Sequence, residues 1–167
     1  MESHSVRDKM ETAIEVKAHL IVFKLGEEEY GVRIDQVKEV TITPEITRMP
    51  KTPSFIKGVS NIRGDIIAIM DLEERFKISG IPNGNPLRHT YTLVIEAKEY
   101  TMGFIVKEVP QSLSLPVSNI DKAPAFVQDI NISEHFIEGI GKFDNRLIIV
   151  LDIYKILTSD EILELKS

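Results

Sequence analysis

Phe55-Ile-Lys-Gly-Val-Ser-Asn-Ile-Arg-Gly-Asp-Ile-Ile-Ala-Ile-Met-Asp-Leu72 returns 81 residues later as Phe136-Ile-Glu-Gly-Ile-Gly-Lys-Phe-Asp-Asn-Arg-Leu-Ile-Ile-Val-Leu-Asp-Ile153. Five of the eighteen paired positions are identical (Phe55/Phe136, Ile56/Ile137, Gly58/Gly139, Ile67/Ile148, Asp71/Asp152), and seven more exchange one apolar residue for another. The chain is therefore a duplicated unit. What does not repeat is Asn61-Ile62-Arg63-Gly64, which becomes Lys142-Phe143-Asp144-Asn145. Residues written twice are expected to build the fold, and the unrepeated turn is expected to hold the function.

Working outward, His19 to Leu25 is rich in β-branched and aromatic residues, Gly26 to Glu29 supplies a turn, and Tyr30 to Ile34 resumes extended patterning, which is the signature of a hairpin. The second half answers with Tyr91 to Ala97, a polar turn at Lys98-Glu99, and Thr101 to Val106. Here the offset is 72 residues, Gly31 matching Gly103, so the second copy carries nine more residues before its repeat of the opening motif. Three prolines between Thr43 and Pro53 favour an extended connection. Its counterpart, Pro110 to Glu134, again holds three. Ser79-Gly-Ile-Pro-Asn-Gly-Asn-Pro86 concentrates turn residues at the boundary between copies.

About five short strands in each copy, joined by Gly- and Pro-rich connections, read as an all-β protein of two small barrels, since closure removes exposed edges. The expected division is an N-terminal extension at 1–17, a first barrel at 18–80, a linker at 81–90, a second barrel at 91–158 and a C-terminal helical segment at 159–167. A barrel of roughly 60 to 70 residues is marginal alone, so the two are expected to share an apolar interface.

Composition narrows the function. The 167 residues are 43% hydrophobic and 28% charged, an ordinary globular balance. With no cysteine, a disulfide framework and a thiolate site are excluded. The first residues lack the basic region and apolar run of a signal peptide, and no stretch approaches eighteen consecutive apolar residues, so the cytoplasm is the expected compartment. A net charge of −6 without a basic stripe gives no reason to bind nucleic acid.

No catalytic constellation emerges. Asp71 and Asp152 could form a carboxylate pair for acid/base work. The alternative is structural: each precedes a short helical segment, Asp is a favoured N-cap, and Glu74 stands three residues after Asp71 as in a capping box. Repetition of both favours the cap. Thr158-Ser-Asp-Glu161 has the same look. His4, His19, His89 and His135 show no ligand spacing, and the run Gly58 to Gly64 lacks the lysine of a phosphate loop, so neither metal nor cofactor is expected. Asn61-x-Arg63-Gly64 reads equally well as a plain turn, with Gly64 at positive φ and Arg63 solvated, and as a site.

Gly58-Val-Ser-Asn-Ile-Arg-Gly64 followed by Asp65-Ile-Ile-Ala-Ile-Met-Asp-Leu72 resembles the signature of the CheW family, and Tyr30-Gly-Val and Val37-Lys-Glu-Val40 fit the family's first hairpin. The resemblance runs from about His19 to Leu157. Ser60, Ile62 and Ala68 depart from the commoner family residues. It implies two five-stranded barrels of the Src-homology type, and a non-enzymatic adaptor that couples chemoreceptors to the histidine kinase CheA. The same module occurs in CheA and CheV, whose further domains the sequence lacks, which leaves the adaptor as the expectation. The rivals are a scaffold of a related kinase pathway outside chemotaxis and a small-ligand-binding or hydrolytic barrel.

The resemblance further implies receptor binding through the positions of Val37, Glu39, Gly58 and Arg63. An apolar groove between the barrels would accept one face of a receptor's helical tip. Val37 would supply apolar contact, Gly58 would allow close backbone approach, and Glu39 and Arg63 are expected to form an ion pair at the groove edge. Ile42, Ile46 and Met49, apolar and close to turns, are candidates for the kinase contact, set against ordinary loop packing.

Overall fold

Alternating apolar residues fold the first hairpin as β1 (Lys17–Leu25) and β2 (Glu28–Arg33), turning at Gly26, which takes φ +64°. A one-turn 3-10 segment, Ile34–Gln36, leads into β3 (Val37–Ile42). The quoted motif forms β4 (Ile56–Ile62) and β5 (Asp65–Asp71), followed by the four-residue helix α1 (Leu72–Arg75). The second copy gives β6 (Tyr91–Glu96), β7 (Thr101–Val106), β8 (Gln111–Pro116), the short β9 (Ile120–Asp121), β10 (Ile137–Phe143) and β11 (Arg146–Leu151). These elements belong to a computed structural model that describes residues 16–78, 90–97, 100–122 and 136–156. The 81–90 linker apart from Thr90, most of the N-terminal extension, and the C-terminal segment from 157 lie outside the described residues.

The strands form two curled sheets, ordered β3-β6-β7-β5-β4 and β8-β1-β2-β11-β10-β9. The class is therefore all-β, with two barrel-like halves. The sequential division into barrels at 18–80 and 91–158 is corrected at the level of strand pairing, because the two hairpins are exchanged. The first copy's β1–β2 hairpin joins β8 and β11 of the second copy, and the β6–β7 hairpin joins β3 and β5 of the first. The reason is chemical equivalence. Gly31 lies opposite Val22 and Val150, while Gly103 lies opposite Val94 and Ile69. These neighbours are related by the same offsets of 72 and 81 residues, so a hairpin finds matching partners in either copy. Of the pairings made by exchange, β1 with β8 and β3 with β6 are antiparallel, while β2 with β11 and β5 with β7 are parallel.

Burial shows what the exchange achieves. One cluster of twenty buried residues draws on both sheets, from Phe23, Leu25, Tyr30 and Val32 through Leu93, Ile95 and Phe104 to Ile149, Leu151 and Ile156. Each sheet keeps a smaller cluster of its own: Leu20, Val22, Leu115, Ile148 and Val150 in one, and Ile62, Ile67, Ile69 and Val94 in the other. At about 1.5–3 kcal/mol for each large apolar side chain fully buried, the shared cluster outweighs both private ones. The expected apolar interface is present and is the main core.

Gly58 and Gly139 each sit at a register shift, one between β4 and β5 and the other between β10 and β11. At Gly58, φ is +144° and an added Cβ would lie 2.1 Å from the Thr47 carbonyl oxygen; at Gly139 it would lie 2.7 Å from that of Asp121. Each glycine thus admits a neighbouring backbone, Thr47 bridging Val59 and Asp121 pairing with Ile140. Both repeated aspartates are caps: Asp71 Oδ1 accepts from the Glu73 N–H at 2.9 Å, and Asp152 Oδ1 from the Tyr154 N–H at 3.1 Å. The full capping box does not form, because the Asp71 N–H donates to the Phe55 carbonyl and Glu74 turns to Lys57. After Asp152 the helix shortens to a 3-10 turn, Ile153–Lys155.

Candidate functional site

The unrepeated turn between β4 and β5 is made by two left-handed residues, Arg63 at φ +53° and Gly64 at φ +89°. Two consecutive positive φ values match the right-handed twist of the flanking strands. Asn61 secures the turn, its Oδ1 accepting from the Gly64 N–H at 2.9 Å. A Cβ on Gly64 would meet nothing within 4 Å, so this glycine is present for its φ and not for space. The motif is a turn, and it presents an arginine at its tip.

Arg63 Nε donates to Glu39 Oε2 at 2.8 Å, which is the ion pair expected from the sequence. The arginine side chain is 80% exposed and that of Glu39 only 19%. The hydrogen bond to Glu39 holds the guanidinium pKa above its ordinary value. An ion pair this exposed adds little to stability and is screened by salt. Its contribution is geometric, since it ties the turn to β3 across the two edges of the five-stranded sheet. At the same left-handed position the other barrel places Asp144, at φ +52°, so the charge at the hairpin tip is inverted between copies.

A bulge in β3 decides how Val37 and Glu39 face. Between them the register against β6 shifts, so Val37, Val40 and Ile42 lie opposite Ile95, Leu93 and Tyr91, while Glu39 lies opposite Val94. Leu93 and Ile95 belong to the shared core, and Val37 and Tyr91 pack against it. Val94 belongs to the private cluster. Val40 and Ile42, 42% and 57% exposed, thus form an aliphatic margin on the face of β3 that adjoins the core between the barrels. The equivalent margin in the other barrel is polar. There Ser112 lies opposite Ile21 and Ser114 opposite His19, whose Nδ1 is 2.6 Å from Ser114 Oγ.

Gly58 does allow a close backbone approach. The approach its missing side chain allows is taken by the chain's own Thr47 backbone and Ile46 side chain. The three kinase candidates are not brought into one cluster. Ile46 packs against Ile62, Ile67, Ile69 and Val94, Met49 is exposed, and Ile42 stands on the margin beside Val37. Val40 was missed by the sequence reasoning. Its signal is the spacing Val37, Val40, Ile42, which regains alternation only once a bulge is allowed.

Asp71 and Asp152 are engaged as caps, which removes the carboxylate-pair reading. Burial, reinforced by Glu73, pushes the Asp71 carboxyl up, and the backbone N–H bonds it accepts as a cap oppose the rise. Among the described residues no three His, Asp or Glu side chains gather as a metal site. His4, His89 and His135 lie outside those residues, and among them no helix is long and apolar enough to cross a membrane.

The geometry defines a class: a duplicated, hairpin-exchanged two-barrel protein with an ion-paired turn beside an aliphatic strand margin. The CheW-like domain family matches residues 19–161, and the chain belongs to that family. It is 35% identical to the chemotaxis protein CheW of Klebsiella aerogenes over 146 residues, 87% of this chain and 85% of that protein. With the chemotaxis protein CheW of Bacillus subtilis it shares 30% identity over 152 residues, 90% and 94% of the two chains. A crystal structure of the scaffolding protein TtCheW from Thermoanaerobacter tengcongensis superimposes with a TM-score of 0.75 at 31% identity, covering 87% of this chain and 91% of that one.

Proposed function

We propose that this protein is a non-enzymatic adaptor that couples methyl-accepting chemoreceptors to the histidine kinase CheA in the cytoplasm, at membrane-associated receptor arrays. The observation that carries the reading is the Arg63–Glu39 pair beside the aliphatic margin Val37, Val40 and Ile42. A receptor's cytoplasmic tip is a helical hairpin, and an apolar helix face with polar flanks fits an apolar margin edged by an oriented ion pair. Val37 and Ile42 supply apolar contact, Arg63 and Glu39 set the register, and Gly58 acts indirectly by holding the 46–47 segment against β4. The kinase's regulatory domain, itself of this family, meets the first barrel elsewhere, and Met49, exposed and lying outside β3, is the member of the candidate set left for it.

Ile42 falls to the receptor side because it shares a strand face with Val37, and Ile46 contributes as a support for that surface. Signalling follows if both partners, bound together, bias each other's states through the adaptor body. Receptor and kinase fragments are to be captured on the immobilised protein, with Arg63→Ala in parallel. Wild type is expected to retain both, and Arg63→Ala to lose the receptor fragment while keeping the kinase fragment and its melting temperature. Capture of neither by wild type, or undiminished receptor capture by Arg63→Ala, overturns the reading.

A further inference from the structure

Arg75, the last residue of α1, occupies the place that the repeat gives to Ile156 in the second copy. Its guanidinium carbon lies 4.8 Å from the ring centroid of Phe55 and 4.9 Å from that of Phe136. These two phenylalanines are themselves repeat mates, one leading into β4 and the other into β10, and both pack against the shared core. Arg75 Nε also donates to the carbonyl of Ile156 at 2.9 Å, so the arginine grips its own counterpart. One side chain thus touches matching points of both barrels, where the two copies meet.

The rest of α1 is tied in two further directions. Glu74 pairs with Lys57 of β4 at 2.6 Å, next to Gly58. Glu73 pairs with Lys107 at 2.8 Å, in the connection from β7 to β8 that passes from one sheet to the other. Phe76, just beyond the helix, lies 5.4 Å from Phe136.

A symmetric solution was available to the chain, with an aliphatic residue in both places as at Ile156. Apolar burial alone is non-directional and tolerates a rotation of one sheet over the other. A planar guanidinium is attracted to ring faces and donates along fixed directions, so it prefers one arrangement of the two rings and the carbonyl. We propose that Arg75 is a positioning residue that fixes the angle between the two barrels, with α1 as the pivot linking the receptor-side strand β4 to the second barrel.

The absence of cysteine allows a direct test. Spin labels at Lys38→Cys on β3 and Ser112→Cys on β8, both exposed positions, report the distance between the sheets by pulsed dipolar spectroscopy. The otherwise unaltered protein is expected to give one narrow distance distribution. Arg75→Met, which keeps a long unbranched apolar stem, is expected to shift or broaden it while amide protection in the β1–β2 and β6–β7 hairpins is retained. Arg75→Lys, with charge but no planar fork, is expected to broaden it too, and decides the matter if the methionine variant does not fold. A distribution that superimposes on the original in the folded variant overturns the proposal. A second arm rests on the adaptor reading: Arg75→Met is expected to bind receptor and kinase fragments separately at wild-type strength and to lose receptor control of the kinase. Failure of both fragments to bind wild type would count against the adaptor reading alone, since the distance measurement needs no partner.

Discussion

Gly58 and Arg63 both carry positive φ, for different reasons and with opposite consequences. At Gly58 the conformation admits the Thr47 backbone, and a methyl group there would overlap the carbonyl oxygen. Gly58→Ala is expected to destabilise the protein by about 3 kcal/mol, the upper end of ordinary substitutions, and to weaken partner binding only through the fold. Thermal melts and binding at a temperature where the variant stays folded check both parts. At Arg63 the strain serves the surface. Arg63→Asn puts a residue that tolerates the left-handed region at the same φ, and is expected to raise the melting temperature slightly while receptor-fragment binding falls. A variant that gained stability and kept binding would show that the arginine is there for neither purpose. The Glu39–Arg63 pair was legible from opposite charges and the break in the repeat. Thr47's approach to Gly58 was not, because it depends on a bulge that single-residue patterns do not announce.

Among the elements, the parallel pairing of β2 with β11 is where an ion pair supports the exchange. Arg146 Nε lies 3.0 Å and a terminal nitrogen 2.6 Å from the two carboxylate oxygens of Glu29. The hydrogen bond to Arg146 holds the Glu29 carboxyl below its usual range. A depressed carboxylate contributes stability that is fully present above its unfolded pKa and is lost as the pH falls through the lower folded value. Glu29→Gln is therefore expected to lower the melting temperature at neutral pH, with the difference from wild type shrinking on acidification and vanishing below the folded pKa. A gap that stayed constant down the acid limb would assign the effect to packing. Most strands were readable, β7 to its end residues, because alternation and the repeat agreed. β8 and β9 were read as an extended connection, since Gln111-Ser-Leu-Ser-Leu-Pro116 has weak strand composition and gains its order from pairing with β1.

For the molecule as a whole, the repeat revealed two like units, but not which hairpin serves which barrel. Like halves offer like partners, so the sequence pattern is equally satisfied with or without exchange. The exchange makes a sharp prediction. Fragments 1–84 and 85–167 are each expected to lack dispersed amide spectra and a cooperative melt, and to recover both when mixed or co-expressed. Either fragment folding alone would mean that a hairpin can pair within its own copy. A single unfolding transition for the intact chain is expected for the same reason, since the largest apolar cluster belongs to neither copy.

The traded hairpins also bear on ancestry. Once two copies have lent each other strands, deleting either half of the coding sequence destroys both barrels, so the duplication acts as a one-way ratchet. Divergence in surface chemistry shows at turns and margins such as Arg63 against Asp144, or Val40 and Ile42 against Ser112 and Ser114. That is where a body of two similarly folded halves has acquired two unlike sides.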